Sequence, residues 1–218
     1  MPKKIVLFPF GGNAREAFQA IADINKIKKE WDVIGFIDDD EKKWRQAYGG
    51  VRVVGGRDWL NKHADVCVLA VQGNPSGHAE REGIIARLNV KPARFARVIH
   101  PTVCVASDAQ IGYNTLVLAN TVVSAAAVVG NHCVILQNSV ISHDARIGDY
   151  CCIGTNVSVS GFVTIGAHSY IGSGTSIRDH IRIGPKTLVG LGSNVVKHLG
   201  SNKVYAGNPA KELKTPKS

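Results

Sequence analysis

The sequence has no uninterrupted apolar run approaching the ~18–20 residues of a membrane-spanning helix, which argues against a transmembrane bundle. Its opening run, MPKKIVLFPF, is short and passes at once into GGNARE, so it is expected to form a buried strand and not a secretory leader. The five cysteines, Cys67, Cys104, Cys133, Cys151 and Cys152, have no CxxC spacing for zinc, and their odd number argues against a disulfide framework. A reducing, cytoplasmic setting is expected. Acidic residues are scarce, 17 against 26 Lys and Arg, leaving a net charge of +9 that suits a phosphate-bearing ligand. Aromatics make up only 6% of the chain. The basic residues are dispersed (Lys26, Lys28, Lys29; Lys42, Lys43, Arg45; Lys211, Lys214, Lys217) and lack the aromatic interleaving of a single-strand binder, so no nucleic-acid partner is expected.

What the chain does have is a period of six. Stepping by six from Ile99 to Val195 meets seventeen residues, and all are Ile or Val. Such a run predicts a coil of short flat strands in which each repeat sends one β-branched residue inward, stacked on the residue eighteen positions along. Glycine often follows the ladder residue (Gly112, Gly130, Gly148, Gly154, Gly166, Gly172), and Asn or Asp recurs nearby, as corners require. Four places after each ladder position the residue is small or aliphatic: Ala109, Thr115, Thr121, Ala127, Cys133, Ser139, Ala145, Cys151. Cys133 and Cys151 are then core fillers. His132, His168, His180 and His198 fall near corners and are expected at the surface. No two of the eight histidines lie four or five apart on one coil, so a zinc centre of the carbonic anhydrase type is not supported and no metal is expected.

Residues 1–95 follow a different pattern. IVLFPF reads as a buried strand, GGNAREAFQAIADI as a helix with Ala17, Phe18, Ile21 and Ile24 on one face, and VIGFID as a second strand. DVCVLAV is a third strand, GHAEREGIIARL a second helix and RFARVIH a last strand leading into the repeats. This predicts a small parallel α/β domain of Rossmann-like type, with its ligand at the carboxyl ends of the strands. The turn PFGGNA is a degenerate dinucleotide fingerprint, with Pro9, Gly11 and Ala14 where three glycines are usual.

Two domains are therefore expected, α/β at 1–95 and an all-β helix with a C-terminal tail at 96–218. The repeats resemble those of the hexapeptide-repeat, left-handed parallel β-helix acyltransferases. The order of the pieces, with a VIHPTV junction, the motif ISHDARIGD and a closing YAGNPAK, resembles the sialic acid O-acetyltransferase and bacillosamine N-acetyltransferase family over nearly the whole chain. The resemblance implies a cytoplasmic homotrimer that uses acetyl-coenzyme A in surface glycan (lipopolysaccharide) biosynthesis. It implies that His143 is a general base with Asp144 beside it. It also implies that the front turn binds a nucleotide-sugar through Gly11, Gly12, Asn13, Arg15, Asp38 and Asp39. The implied acetyl-coenzyme A positions are Cys152, Gly154, Ser160, Gly161, Ser173 and Leu191. The chain departs from the pattern at Pro9 and Asn13, where Gly and His are common, at Leu136, where many members have Asn, and at Cys152, where some carry a second His.

Acyl transfer from a thioester needs a base for the nucleophile's proton and a donor for the tetrahedral oxyanion. His143 suits the first task and a backbone N–H, as at Gly161, the second. Side chains of neighbouring strand residues point to opposite faces, so Asp144 can pair with His143 only if the chain turns between them or through another subunit. Transfer is expected to be direct, without a covalent intermediate on Cys152. The favoured acceptor is a UDP-, dTDP- or GDP-linked 4-amino-deoxysugar, because an amine demands only a modest base and a nucleotide domain has no purpose for a free sugar. The alternatives are O-acetylation of sialic acid or CMP-sialic acid, and a non-catalytic nucleotide-sugar-binding protein.

Overall fold

The computed structural model describes residues 1–213. Lys214, Lys217 and the end of the tail assigned to 96–218 lie outside the described residues. No helix among them is long and apolar enough to cross a membrane.

The α/β domain runs β1 (Lys3–Phe8), α1 (Gly12–Ile27), β2 (Trp31–Ile37), β3 (Ala47–Tyr48), β4 (Val51–Gly55), α2 (Asp58–Lys62), β5 (Cys67–Ala70) and α3 (Arg81–Ala86). Its sheet order is β3-β4-β2-β1-β5, parallel except for β3 against β4. That antiparallel edge departs from the all-parallel expectation. Its cause is the pair Gly49-Gly50, both at positive φ (+56° and +79°), which closes a two-residue hairpin matched to strand twist. The second long helix is also shorter than expected. Pro75 and Gly77 give a 3₁₀ segment over Pro75–Glu80, with Gly77 non-helical, and α-helix begins only at Arg81. On α1, Ala14, Ala17, Ala20 and Ile21 are buried against the sheet.

From Val98 onward the six-residue period becomes three stacked parallel sheets that wind as a left-handed β-helix. Face one carries the strands at 116–117, 134–135, 152–153, 170–171 and 188–189, face two those at 122–123, 140–141, 158–159, 176–177 and 194–195, and face three those at 128–129, 146–147, 164–165 and 182–183. Ile135 pairs with Val117 and Ile153, eighteen residues either way, as the ladder requires. Every ladder residue from Ile111 onward is buried, each contributing on the order of 1.5–3 kcal/mol. Val105 is 38% exposed because the first turn has no preceding coil to stack on. Corner residues adopt the left-handed conformation, among them Asn120, Asn138, Asp144 and Asn156, residue types that tolerate it.

The α/β domain sits on face one. Val98, Leu116, Val134 and Cys152 project outward from that face into a core shared with α1 and the sheet. At the adjoining corner, the buried Asn114 side chain acts as an extra strand beside β5, accepting from Ala70 N–H (2.7 Å) and donating to Ala70 C=O (3.2 Å). Its amide also donates to His132 Nδ1 at 2.8 Å. Arg81, fully buried at the start of α3, donates to the His132 carbonyl at 2.6 Å. His132 stacks on Tyr150, which stacks on His168. Contrary to the expectation of surface positions, His132 is 5% exposed and the His168 side chain 13%, because α3 covers this corner.

Burial holds His132 down at about 4, against about 6.5 in an unfolded chain, and pushes His168 down as well. The unfolded state therefore takes up the His132 proton first. The stabilisation is complete above pH 6.5 and is lost as pH falls toward 4, by about 3 kcal/mol. Thermal unfolding measured across this window should show Tm falling, with a shallower fall in His132→Gln; identical slopes would assign the acid sensitivity to other groups.

Candidate functional site

His143 lies on the corner between faces two and three, the edge of the prism opposite the α/β domain. Asp144 there has φ +59°, so the chain turns between the two residues and both side chains face outward. This settles how neighbours can meet: His143 Nδ1 lies 3.0 Å from Asp144 Oδ2, with the side chains 57% and 43% exposed. A neutral ring that donates Nδ1–H to the carboxylate leaves its Nε2 lone pair directed to solvent.

Directly beneath, one coil on, is Gly161. A β-carbon at Gly161 would lie 2.6 Å from His143 Cε1 and 2.7 Å from Nε2, so the imidazole rests against bare backbone. The Gly161 carbonyl accepts from His180 N–H, while its own N–H has no partner among the described residues. The imidazole and the Gly161 backbone thus stand side by side on this edge. Phe162 completes the edge, with its ring centroid 5.2 Å from that of His143.

The expected acetyl-coenzyme A residues divide. Ser160 and Gly161 stand on the His143 edge, whereas Gly154, Ser173 and Leu191 stand on the other edge of face two. Between them that face presents the small exposed side chains Ser158 and Ser176, a smooth surface joining the two edges. Leu191 is 81% exposed. Cys152 is corrected: it projects from face one, is 1% exposed under the α/β domain, and no coenzyme can reach it from outside. Burial also pushes its thiol up, which suppresses the thiolate a nucleophile would need.

The nucleotide-sugar residues divide as well. Gly11, Gly12 and Asn13 line a cavity of about 410 Å³ at the start of α1, closed on its other side by Val71, Gln72, Gly73 and Asn74. The N-terminal N–H groups of a 16-residue helix open there, an anion-binding arrangement. Asn13, where a His was the common family residue, donates to Val71 C=O at 3.0 Å and pins the glycine turn to the end of β5. Arg15 is turned away, with its guanidinium over Tyr48 at 5.9 Å. Asp38 is 4% exposed and does not face the glycine cavity; it accepts from Lys43 Nζ (2.9 Å) and the Asp40 N–H (2.9 Å). Asp39 is clasped by Arg57 through Nε and Nη2. Both aspartates border a second cavity of about 330 Å³ that shares Pro9 and Gln72 with the first. In this structure each holds a cation, Asp38 the Lys43 ammonium and Asp39 the Arg57 guanidinium.

Lys43 was not singled out from the sequence. Its ammonium lines the glycine cavity and also reaches Phe10 C=O (3.3 Å), so a buried carboxylate holds a positive charge over the anion-binding turn. The only sequence signal was its place in the run Asp38–Lys43, which reads equally well as a solvated loop.

The bacterial transferase hexapeptide family matches residues 126–161, a segment that contains both His143 and Gly161. No curated protein sequence matches. Among solved structures, the acetyltransferase domain of PglB from Neisseria gonorrhoeae in complex with acetyl coenzyme A superposes with a TM-score of 0.85 at 25% identity, over 98% of this chain and 100% of that one. PerB from Caulobacter crescentus, in complex with CoA and GDP-perosamine, gives 0.83 at 22% identity over 98% of both chains. WeeI from Acinetobacter baumannii gives 0.74 at 21%, over 98% of this chain and 100% of that one. The chain thus carries the bacterial transferase hexapeptide repeat and shares the two-domain fold of these proteins over nearly its full length.

Proposed function

We propose that this protein transfers the acetyl group of acetyl-coenzyme A to the amine of a nucleotide-linked 4-amino-deoxysugar. The observation that carries the reading is the exposed His143–Asp144 pair set over the bare backbone of Gly161. In the step we infer, the amine attacks the thioester carbonyl and His143 Nε2 takes the proton it loses. Asp144 holds the ring and stabilises the imidazolium. The Gly161 N–H donates to the oxyanion. Collapse breaks the C–S bond, and the departing thiolate takes the proton back from His143. The coenzyme runs along face two from Ser160 and Gly161 toward Ser173 and Leu191. The diphosphate rests on the Gly11-Gly12 turn under Lys43, with the nucleoside in the cavity beside Asp39 and Arg57.

The nucleotide cavity belongs to the domain on face one and His143 to the opposite edge, so one chain does not unite them. A trimer that brings the α/β domain of one protomer to the His143 edge of its neighbour supplies the missing half. The similarity to PglB and PerB, whose structures hold acetyl coenzyme A or CoA with GDP-perosamine, supports this reading.

Thiol release from acetyl-coenzyme A, measured against UDP-, dTDP- and GDP-linked 4-amino-sugars, CMP-sialic acid and free sialic acid, tests it. Turnover is expected with one amino-sugar. Activity confined to a sialic acid would replace N- by O-acetylation, and no thiol release with any acceptor would end the catalytic reading.

A further inference from the structure

We propose that the amino-terminal end of the molecule, where Ile27 and Trp31 meet the open first coil of the β-helix among Lys3, Lys28, Lys29 and Arg97, docks on an anionic phospholipid surface. This face lies apart from both substrate sites, and only its repetition in a trimer rests on the reading above.

The first coil, with strands at 98–99, 104–105 and 110–111, has no coil before it to pair with. Its apolar residues therefore end in the open: Val105 is exposed, and Ile99 and Val103 are half-buried. The end of α1 and the start of β2 come down beside it. Ile24, Ile27, Trp31, Ile99 and Pro101 line a cavity of about 380 Å³ together with Lys28 and Arg97. A second cavity, of about 280 Å³, shares Lys28, Glu30 and Trp31 with the first and continues to Lys3 and Lys29. Ile27, the last residue of α1, is 76% exposed. A lone exposed aliphatic side chain is ordinary, but this one is contiguous with an indole, a proline and the uncovered end of a ladder, and such patches mark interaction surfaces.

Charge selects the partner. Along the two cavities four cations, Lys3, Lys28, Lys29 and Arg97, stand against one carboxylate, Glu30. None of the four is in an ion pair among the described residues, whereas neighbouring Lys26 is neutralised by Asp23 at 2.7 Å. A second copy packed here about a twofold axis would set these like charges against each other. Lysine is also depleted from protein–protein interfaces. An anionic bilayer surface suits the whole set: ammonium groups stay among the headgroups, the indole sits at the interface and Ile27 enters the acyl boundary.

Docking there leaves the substrate sites open. Helix α1 begins at the glycine cavity and ends at Ile27, so its 16 residues, at ~1.5 Å each, hold the two roughly 24 Å apart. In a trimer with parallel coil axes the faces share one plane, and weak contacts add as avidity.

The test mixes the full-length protein with sedimentable vesicles of phosphatidylcholine alone and of phosphatidylcholine with phosphatidylglycerol. Wild type should cosediment only with the phosphatidylglycerol vesicles and should be released in about 1 M salt, where the screening length shrinks to about 3 Å. Lys28→Gln combined with Lys29→Gln should weaken binding about 25-fold, roughly fivefold for each cation removed from an anionic surface. Ile27→Ser should weaken it about 10-fold. These side chains are exposed and distant from His143, so thiol release without vesicles should match wild type in every variant. Wild type that stays in the supernatant overturns the docking face, as does equal binding to both vesicle types or undiminished binding by the double variant. Release by inorganic phosphate at constant ionic strength would make this a small-anion site and overturn lipid docking. Vesicle-free pairing of assemblies that Ile27→Ser abolishes would give the face to a second copy and overturn it too. Binding is read without substrate, so failure of the docking face leaves the acetyl-transfer reading intact, and absence of thiol release leaves the docking result readable.

Discussion

Replacing His143 by alanine should lower kcat by about 10³-fold, within the range a positioned general base contributes. The side chain is 57% exposed and packs no core, so Tm should stay within about 1 °C of wild type. Binding of acetyl-coenzyme A and of the nucleotide-sugar, read separately by calorimetry, should also hold, because the imidazole occupies neither face two nor the glycine cavity. The expected result is therefore a protein that folds and binds but does not turn over. Retention of a tenth of the wild-type rate would remove His143 from the role of base. The charge left by Asp144 would then need another partner, and no other side-chain donor to Asp144 is present among the described residues.

The β-helix was legible because one physical requirement repeats: a narrow prism admits only β-branched residues on its ladders, and the sequence states this seventeen times over. His143 was legible for a related reason, since its phase two places after Ile141 put it outside the prism. Its partner was not. The pairing with Asp144 depends on a corner conformation, φ +59°, that the period alone does not assign to one residue of the hexad. Cys152 was misplaced because the repeat marks a side chain as outward without saying what lies outside; on face one that is a whole domain. Arg15 was misplaced for the converse reason. Proximity to the glycine turn in sequence does not decide which way a helix residue points, and Arg15 finds the Tyr48 ring. The Gly49-Gly50 hairpin was available in the sequence, since two adjacent glycines between short β-branched or aromatic runs signal a tight reversal.

Gly161→Ala should reduce kcat by about 100-fold without unfolding the protein. The glycine does not need its special backbone freedom: its φ is not in the left-handed region, so alanine can adopt the same conformation. Reduced freedom in the unfolded chain would by itself add about 0.4–1 kcal/mol of stability. What alanine cannot do is share space with His143. Its β-carbon would stand 2.6 Å from Cε1 and 2.7 Å from Nε2, closer than carbon and nitrogen approach in folded proteins, and the neighbour that can yield is the exposed imidazole. A ring displaced by roughly an ångström loses its alignment with the acceptor amine, and a misplacement of that size costs about 10² in rate. The pattern to measure is a fall in kcat with KM for both substrates within about threefold and Tm equal to or above wild type. Activity within twofold of wild type would show that the ring has room to move and still work, and would separate the close approach of His143 to Gly161 from catalysis.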